Sequence, residues 1–220
     1  MRRTARRPLA AGRLNVAAVL WFGIALSAIG CIYLATAVNV LASLLALLTL
    51  LSYWFLYTPL KRQTPMCVLV GALPGAVSPL VGWATASGKL SIEAWLLCAM
   101  LFLWQFPHFM AIAWMYREDY DRAGYLVLPH APARASILIL QTILPLLALL
   151  PISLLAVPGD QPSILSGIAT LLLSVGRLYY GAQFVRHRSS SAARRLLLAS
   201  VIYLPSLSLL IVLLRSWRIL

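Results

Sequence analysis

The side chains of this chain best suited to chemistry are three carboxylates at the end of a long apolar run. Glu118, Asp119 and Asp121 are three of only five acidic residues in a chain that is 62% hydrophobic. Charged groups are poorly solvated in hydrocarbon, so carboxylates at a membrane edge are usually paired or bound to a cation. Without nearby histidine or thiolate ligands they favour a hard cation such as Mg²⁺, which completes its shell with water and substrate phosphates. The cluster predicts a magnesium site, and the structural alternative is the solvated cap of a helix.

A second group of polar side chains lies in residues 57–65, where a predicted apolar helix ends. Lys61 and Arg62 are adjacent, and Thr58 and Thr64 stand on either side of them. Two cations beside two hydroxyls suit a phosphate ester, although a lone Lys–Arg pair can also serve only to anchor membrane topology. Cations and carboxylates at the same membrane face together suggest a metal-bound diphosphate on a lipid-soluble substrate.

An allylic diphosphate is a substrate whose chemistry would use all of these groups. It ionises when the charge on its leaving group is neutralised, and Mg²⁺ with lysine and arginine does this. The allylic cation then needs a dry pocket with aromatic faces to stabilise it. Each aromatic residue near the carboxylates could instead belong to the interfacial belt of a membrane protein. The candidate rings are those of Trp104, Phe106, Trp114, Tyr116 and Tyr120.

The elements that must hold these groups are membrane-spanning helices. A mean hydropathy of +0.90 with only 10% charged residues excludes an ordinary soluble domain. Apolar stretches long enough to cross about 30 Å of hydrocarbon recur along the whole chain. The sequence therefore predicts an all-α, polytopic bundle in one transmembrane domain. The seven predicted spans are 15–37, 39–57, 66–87, 92–116, 136–157, 162–184 and 196–214.

The distribution of positive charge predicts the orientation of these spans. When the spans alternate in direction, fifteen lysines and arginines fall on one side, Arg177 among them, and three fall on the other. The positive-inside rule places the richer side, with the N-terminus and the acidic cluster, in the cytoplasm of a plasma (inner) membrane protein. The C-terminus is then on the outer face. Nucleic acid is not indicated as a partner, because the charge is spread over short loops and forms no folded basic face.

Several ordered motifs in residues 1–135 resemble those of the protoheme IX farnesyltransferases, also called haem O synthases. These enzymes are membrane prenyltransferases of the UbiA type. The later helices match this family only in their hydrophobicity. The matching segments are Tyr57-Thr58-x-Leu60-Lys61-Arg62-x-Thr64-Pro65, Gly71-Ala72, Gly75-Ala76, Pro79 to Trp83, Pro107-His108-Phe109, Tyr116-Arg117-x-Asp119-Tyr120-x-x-Ala123-Gly124 and Leu128-Pro129.

The resemblance implies an activity and a site. Such enzymes transfer a farnesyl group from farnesyl diphosphate to a vinyl group of haem B, and the haem O produced supplies terminal oxidases. The implied partners are these two substrates, the lipid bilayer, and haem A synthase or oxidase assembly factors. Mapped onto this sequence, the acidic cluster holds Mg²⁺, and Lys61, Arg62 and Asp119 are the catalytic residues. The implied substrate-binding residues are Tyr57, Thr64, His108, Tyr116, Arg117, Tyr120 and Arg122.

Two departures from the family pattern lead to further expectations. Cys67 occupies a position where many relatives carry asparagine. The family also has nine helices and a first acidic motif that ends shortly before a Met-x-Arg-Thr segment, which matches Met1 to Thr4 here. We therefore expect two further spans and that motif to be encoded upstream, and the 220-residue form alone to be inactive.

Two other functions also fit the sequence. A UbiA-type prenyltransferase that acts on a quinone precursor would share the diphosphate site and differ in its acceptor. A transporter or non-enzymatic assembly protein is the more distant alternative, because transporters also carry ionisable groups and broken helices. Transporters typically hold those groups near the middle of the bilayer, whereas the carboxylates here lie at one edge, which favours the enzyme.

Overall fold

The computed structural model describes residues 4–128, 133–156 and 164–216. These residues form helices and turns without any β-strand. Seven of the helices are long and apolar enough to cross a membrane, which confirms the predicted all-α membrane bundle. A short helix, α5, lies between the fourth and the fifth of them. The helices are α1 Val16–Val38, α2 Val40–Leu60, α3 Cys67–Ser87, α4 Ile92–Met115, α5 Arg117–Arg122, α6 Ala133–Ala156, α7 Ile164–His187 and α8 Ser190–Ser216.

The predicted span boundaries agree with these helices to within a few residues, except at the start of α8. That helix begins at Ser190, six residues before the predicted position. The prediction was wrong there because Arg194 and Arg195 were assigned to a loop. Both arginines are exposed on the surface of the helix, whereas the neighbouring Ala193 is fully buried. Long arginine side chains can extend to the interface while their backbone continues a membrane helix.

The side chain of Asn39 both caps the start of α2 and links this helix to α3. The Asn39 side chain accepts a hydrogen bond from the Ala42 backbone at 2.8 Å, which starts α2, and donates to the Ala84 carbonyl of α3 at 2.8 Å. The last part of α2, Ser52–Tyr57, is π-helical. Such widened turns often occur at functional sites because they change which side chains face inward.

A proline within α3 and a glutamine of α4 contribute to the packing of these two helices. Helix α3 is interrupted at Val77, between its segments Cys67–Ala76 and Ser78–Ser87, and Pro79 lies in the first turn of the second segment. The Gln105 side chain of α4 donates to the Ala72 carbonyl of α3 at 3.0 Å. This bond satisfies a polar side chain that would otherwise be costly in an apolar interior.

Helices α4, α6, α7 and α8 pack together as the second half of the molecule. Helix α4 also contacts α3, so it connects the two halves. One buried cluster, which includes Phe106, Met110 and Phe184, lies towards the end of the bundle that carries α5. A second cluster around Met100 and Tyr203 fills the region farther from α5. The bundle therefore positions the α5 end over a packed apolar interior.

The position of Arg177 differs from its assignment in the charge count. It lies inside α7, ten residues before the end at His187, and is only 2% exposed. It therefore belongs to no loop, and the richer side of the membrane carries fourteen lysines and arginines instead of fifteen. The sign of the asymmetry is unchanged. A buried arginine in a membrane helix is costly, which makes its surroundings worth describing in detail.

Some predicted features lie outside the described residues. They are the start of the chain at residues 1–3 and Pro129 of the last family motif.

Candidate active site at one end of the bundle

The acidic cluster lies on α5, which follows α4 after a break at Tyr116. The backbone of Tyr116 leaves the helical region, with φ of −111° and ψ of 22°, and this turns the chain away from the axis of α4. Arg117 then folds back and donates from Nη1 to the Trp114 carbonyl at 3.1 Å. Its guanidinium also lies over the Trp114 ring at 5.4 Å. Arg117 thus caps the carboxyl end of α4, where a positive charge is favourable.

The three carboxylates of α5 have different surroundings. Asp119 is partly buried and accepts a hydrogen bond from Arg122 Nη2 at 2.7 Å in an ion pair. Glu118 and Asp121 are exposed. Within the described parts of the chain, no three His, Cys, Asp or Glu side chains lie close enough to hold a metal ion together. The donor set nevertheless fits Mg²⁺, which commonly binds one or two carboxylates together with phosphate oxygens and water.

The segment after α5 contacts the Lys61–Arg62 segment and so links that segment to the acidic helix. Gly124 has φ of +66°, a left-handed conformation that favours glycine and reverses the chain. The next residues then return to the first loop, where the Leu126 N–H donates to the Lys61 carbonyl at 2.9 Å. The positively charged groups of Lys61 and Arg62 both lie over the Tyr125 ring. Lys61 Nζ is 5.0 Å and the Arg62 guanidinium carbon is 5.9 Å from the ring centroid.

A cavity of about 250 Å³ lies beside this site, and four of its nine lining residues are aromatic. Tyr53 and Tyr57 come from the π-helical end of α2, Phe109 comes from α4, and Tyr120 comes from α5. Lys61 Nζ is 5.9 Å from the centroid of the Tyr57 ring, so the cation stands next to the cavity wall. An apolar cavity with ring faces beside a cation and a carboxylate suits a substrate with an anionic head and an unsaturated hydrocarbon tail.

Gly71 is required by the close approach of the Tyr57 ring to α3. A Cβ atom at residue 71 would lie 2.6 Å from a ring carbon of Tyr57. We expect Gly71→Ala to displace Tyr57, to lower stability by about 1–3 kcal/mol through overpacking, and to weaken binding of the prenyl substrate. The matched control is Gly82→Ala in the same helix, where a Cβ meets nothing within 4 Å. Thermal melting in detergent measures the loss of stability, and a binding assay with a prenyl diphosphate measures the loss of affinity. Equal melting temperatures and affinities for the two variants would contradict this role of Gly71.

His108, the predicted substrate-binding histidine, lies deeper in the bundle than the loop site. It is seven residues before the end of α4, which corresponds to roughly 10 Å along the helix axis. Its Nδ1 is 2.7 Å from the Ser200 hydroxyl of α8, and its ring stacks on Trp104 with centroids 4.5 Å apart. The Trp104 indole N–H donates to the Ser200 carbonyl at 2.8 Å. His108 is therefore held in a defined orientation by α4 and α8.

Arg177 completes this interior cluster from α7. Its Nη2 donates to the Trp104 carbonyl at 2.7 Å, and the guanidinium carbon lies 4.8 Å from the centroid of the Tyr203 ring. Its Nε and Nη1 atoms are buried and have no hydrogen-bond partner in the described part of the protein. The Tyr203 hydroxyl in turn bonds to Ser153 of α6 at 2.5 Å. One connected group of polar side chains thus joins all four helices of the second half.

The remaining predicted site residues have more ordinary surroundings. The Thr64 hydroxyl accepts a hydrogen bond from the Met66 N–H at 3.3 Å, near the start of α3. Tyr116 is 37% exposed at the break between α4 and α5. Arg122, in addition to its ion pair with Asp119, donates from Nε to the Glu118 carbonyl at 3.1 Å. Thr64 and Arg122 therefore have structural contacts that do not require a ligand.

Several residues of the site were not among those predicted. Tyr125 contacts the Lys61 and Arg62 side chains, and Tyr53 and Phe109 line the cavity. Arg177 binds the Trp104 carbonyl in the interior cluster. Gly124 was a usable signal for the end of α5, because a glycine in the left-handed conformation often ends a helix. The arginine in a predicted membrane span was the other signal, since such residues usually have a specific role.

Comparison with known proteins agrees with this architecture. The profile described as the UbiA prenyltransferase family matches residues 1–207. A protein of Solibacter usitatus named protoheme IX farnesyltransferase is 45% identical over 205 residues, which cover 93% of this chain and 70% of that protein. Proteins of the same name from Christiangramia forsetii and Myxococcus xanthus are 37% and 40% identical, covering 99% and 94% of this chain and 74% and 70% of their own lengths. No solved structure matches. By the extent of the family match and the identity to these relatives, the chain belongs to the UbiA prenyltransferase family.

Proposed function

We propose that this protein transfers a farnesyl group from farnesyl diphosphate to a vinyl group of haem B, giving haem O. The names of its relatives support this choice of substrates. The observation that carries the proposal is the contact between the two loops beside the aromatic cavity. Lys61 and Arg62 lie against Tyr125, three residues after the end of the acidic helix, and Tyr120 of that helix lines the cavity that we propose for the hydrocarbon tail.

In this proposal the loop residues bind the diphosphate. Lys61 and Arg62 contact the diphosphate oxygens. Arg122 is paired with Asp119 in this structure, and it can also bind the diphosphate when the Asp119 carboxylate binds the metal ion instead. Asp119, with Glu118 or Asp121, would hold Mg²⁺, which neutralises charge on the leaving diphosphate when it is bound. Tyr57, Tyr120 and Phe109 enclose the allylic end of the tail and exclude water from it.

The reaction breaks the C1–O bond of farnesyl diphosphate and forms two bonds at the vinyl group of haem. Diphosphate leaves with the electron pair of the C1–O bond, and the terminal vinyl carbon forms a bond to C1. The positive charge then lies on the other vinyl carbon, where water adds and releases a proton, which gives the hydroxyl group of haem O. Four aromatic rings line the cavity, and aromatic faces stabilise a positive charge such as the one that develops on the farnesyl group. Lys61 and Arg62 stabilise the departing diphosphate by charge, which is usually the largest single contribution to catalysis of this type.

His108 is the residue that we propose contacts haem. Its Nδ1 is already bonded to Ser200, which fixes the orientation of the ring. Arg177 acts through Trp104 as a positioning residue, because it binds the Trp104 carbonyl while the Trp104 ring stacks on His108. This assignment explains why a cation without a carboxylate partner among the described residues is retained inside the bundle.

The experiment that tests the function is product analysis with the purified protein. Haem B and farnesyl diphosphate are supplied with Mg²⁺ or with EDTA, and the haem products are separated and weighed by mass spectrometry. Haem O should form only with Mg²⁺. Prenylation of an aromatic quinone precursor in place of haem would instead establish the alternative acceptor. The absence of product with both acceptors would refute the proposed prenyltransferase activity.

The orientation that we propose places the loop site in the cytoplasm of a plasma membrane protein. The fourteen lysines and arginines on that side, against three on the other, support it. Reporter domains fused after Arg62, Arg122 and Arg188 should be cytoplasmic, whereas a fusion after Gly88 should report the outer face. A cytoplasmic signal from the Gly88 fusion would contradict the arrangement. Asp160, the natural second site for an outer-face fusion, lies outside the described residues.

A further inference from the structure

A second, larger cavity lies where α7 ends and α8 begins. It measures about 640 Å³, and its walls are contributed only by these two helices and their two-residue connection. None of its lining residues belongs to the candidate active site. The polar groups that face it are Tyr179, Tyr180, Gln183, His187, Ser191 and Arg195.

The formal charge near this cavity is positive. Four arginines lie within ten residues at the junction, Arg195 lines the cavity, and residues 164–216 contain no carboxylate. The ion pair between Arg122 and Asp119 is the one salt bridge of the described residues, so Arg195 has no anionic partner among them. An unpaired cation facing a cavity large enough for a small ligand favours an anionic ligand.

The amino end of α8 contributes to the same preference. The Ser189 hydroxyl accepts a hydrogen bond from the Ala192 N–H at 3.2 Å and lies 3.0 Å from the Ser191 hydroxyl. The first turn of this 27-residue helix adds the partial positive charge of its dipole to the charge of Arg195. The serines, the helix end and Arg195 thus offer hydrogen-bond donors and positive charge on one wall of the cavity.

The location of the cavity indicates which anion can reach it. Both helices are membrane spans, so their joined ends lie at the membrane–water interface. Tyr179 is 58% exposed, as is typical of interfacial tyrosines. Anionic lipids are concentrated in the cytoplasmic leaflet, and basic pockets between membrane helices bind their headgroups. We propose that this cavity binds the phosphate headgroup of an anionic phospholipid, with Arg195 as the principal contact.

The test compares two adjacent arginines. Arg195→Gln removes the cation that lines the cavity, whereas Arg194→Gln removes the same charge from an exposed neighbour that does not line it. Native mass spectrometry measures retention of phosphatidylglycerol against phosphatidylcholine by the full protein. We expect the wild-type protein and Arg194→Gln to retain phosphatidylglycerol. Arg195→Gln should weaken the binding of phosphatidylglycerol about fivefold, which is equivalent to the loss of about 1 kcal/mol for one basic side chain near the membrane surface. Equal losses in both variants, or none in either, would overturn the site.

Two further arms make the result specific. Ser191→Leu fills part of the cavity without changing charge, and it should also reduce phosphatidylglycerol retention; unchanged retention would contradict binding in the cavity even if Arg195→Gln fails to fold. Inorganic phosphate is added as a competitor at millimolar concentration. Persistence of the lipid supports a headgroup site, whereas full displacement by inorganic phosphate would show that the cavity binds a soluble anion instead. Neither arm depends on prenyltransferase activity, so both can succeed or fail independently of the proposed function.

Discussion

Replacing Asp119 with asparagine is expected to lower farnesyl transfer by about 10²-fold or more, as for the loss of one electrostatic stabiliser. The substitution keeps the size of the side chain and removes one negative charge. Asp119 is the least exposed of the three carboxylates on α5 and already holds Arg122 at 2.7 Å. In the proposed site the variant loses a ligand to the metal ion, and in the ligand-free protein it loses the ion pair that holds Arg122. Initial rates with saturating haem measure the effect.

The stability of this variant should change little, which separates catalysis from folding. An ion pair at a partly exposed position contributes about 0–1 kcal/mol, so thermal melting should be nearly unchanged. Glu93→Gln is the matched control, because it removes a carboxylate from the first turn of α4, at the opposite end of that helix. Farnesyl diphosphate binding should lose its dependence on Mg²⁺ in Asp119→Asn and keep it in Glu93→Gln. Wild-type turnover by Asp119→Asn would remove this residue from the site.

Arg177→Met is expected to raise the KM for haem by about 10- to 100-fold, the usual range for residues that orient a ligand-binding histidine. The KM for farnesyl diphosphate should not change, because Arg177 contacts the interior cluster and not the loop site. Thermal stability should be unchanged or higher. A buried guanidinium with two unpartnered N–H groups is costly, and methionine replaces it with an apolar side chain of similar length.

Two companion variants test whether Arg177 acts through His108. In a His108→Ala background, Arg177→Met should add little to the KM for haem, because the residue it positions is already absent. Tyr203→Phe keeps the ring beneath the guanidinium and loses only the bond to Ser153, so its KM for haem should stay near the wild-type value. An effect of Arg177→Met that is undiminished without His108 would refute the positioning role. No effect of His108→Ala alone would instead refute the proposed haem contact.

The helices of this protein could be predicted from its sequence because the signal for them is local. A run of some 20 apolar residues must cross the membrane as a helix, since no other structure satisfies its backbone in hydrocarbon. The one substantial error, the start of α8, arose where arginines lie on the surface of a helix that continues past them. The carboxylates of α5 and the Lys61–Arg62 pair were also identifiable, because charged residues are rare in such a chain.

The tertiary structure alone decided how these groups meet. The contact between Lys61 and Tyr125 joins residues more than sixty positions apart, and neither segment carries a local pattern that specifies it. The same holds for Arg177, which the charge count assigned to a loop although it lies within the predicted span 162–184, and which the packing of four helices places beside Trp104. Local sequence specifies whether a segment crosses the membrane, because hydrocarbon acts on each residue separately. Which side chains share a cavity depends on the packing of helices from distant parts of the chain, because the contacts that fix it are made between helices and not within them.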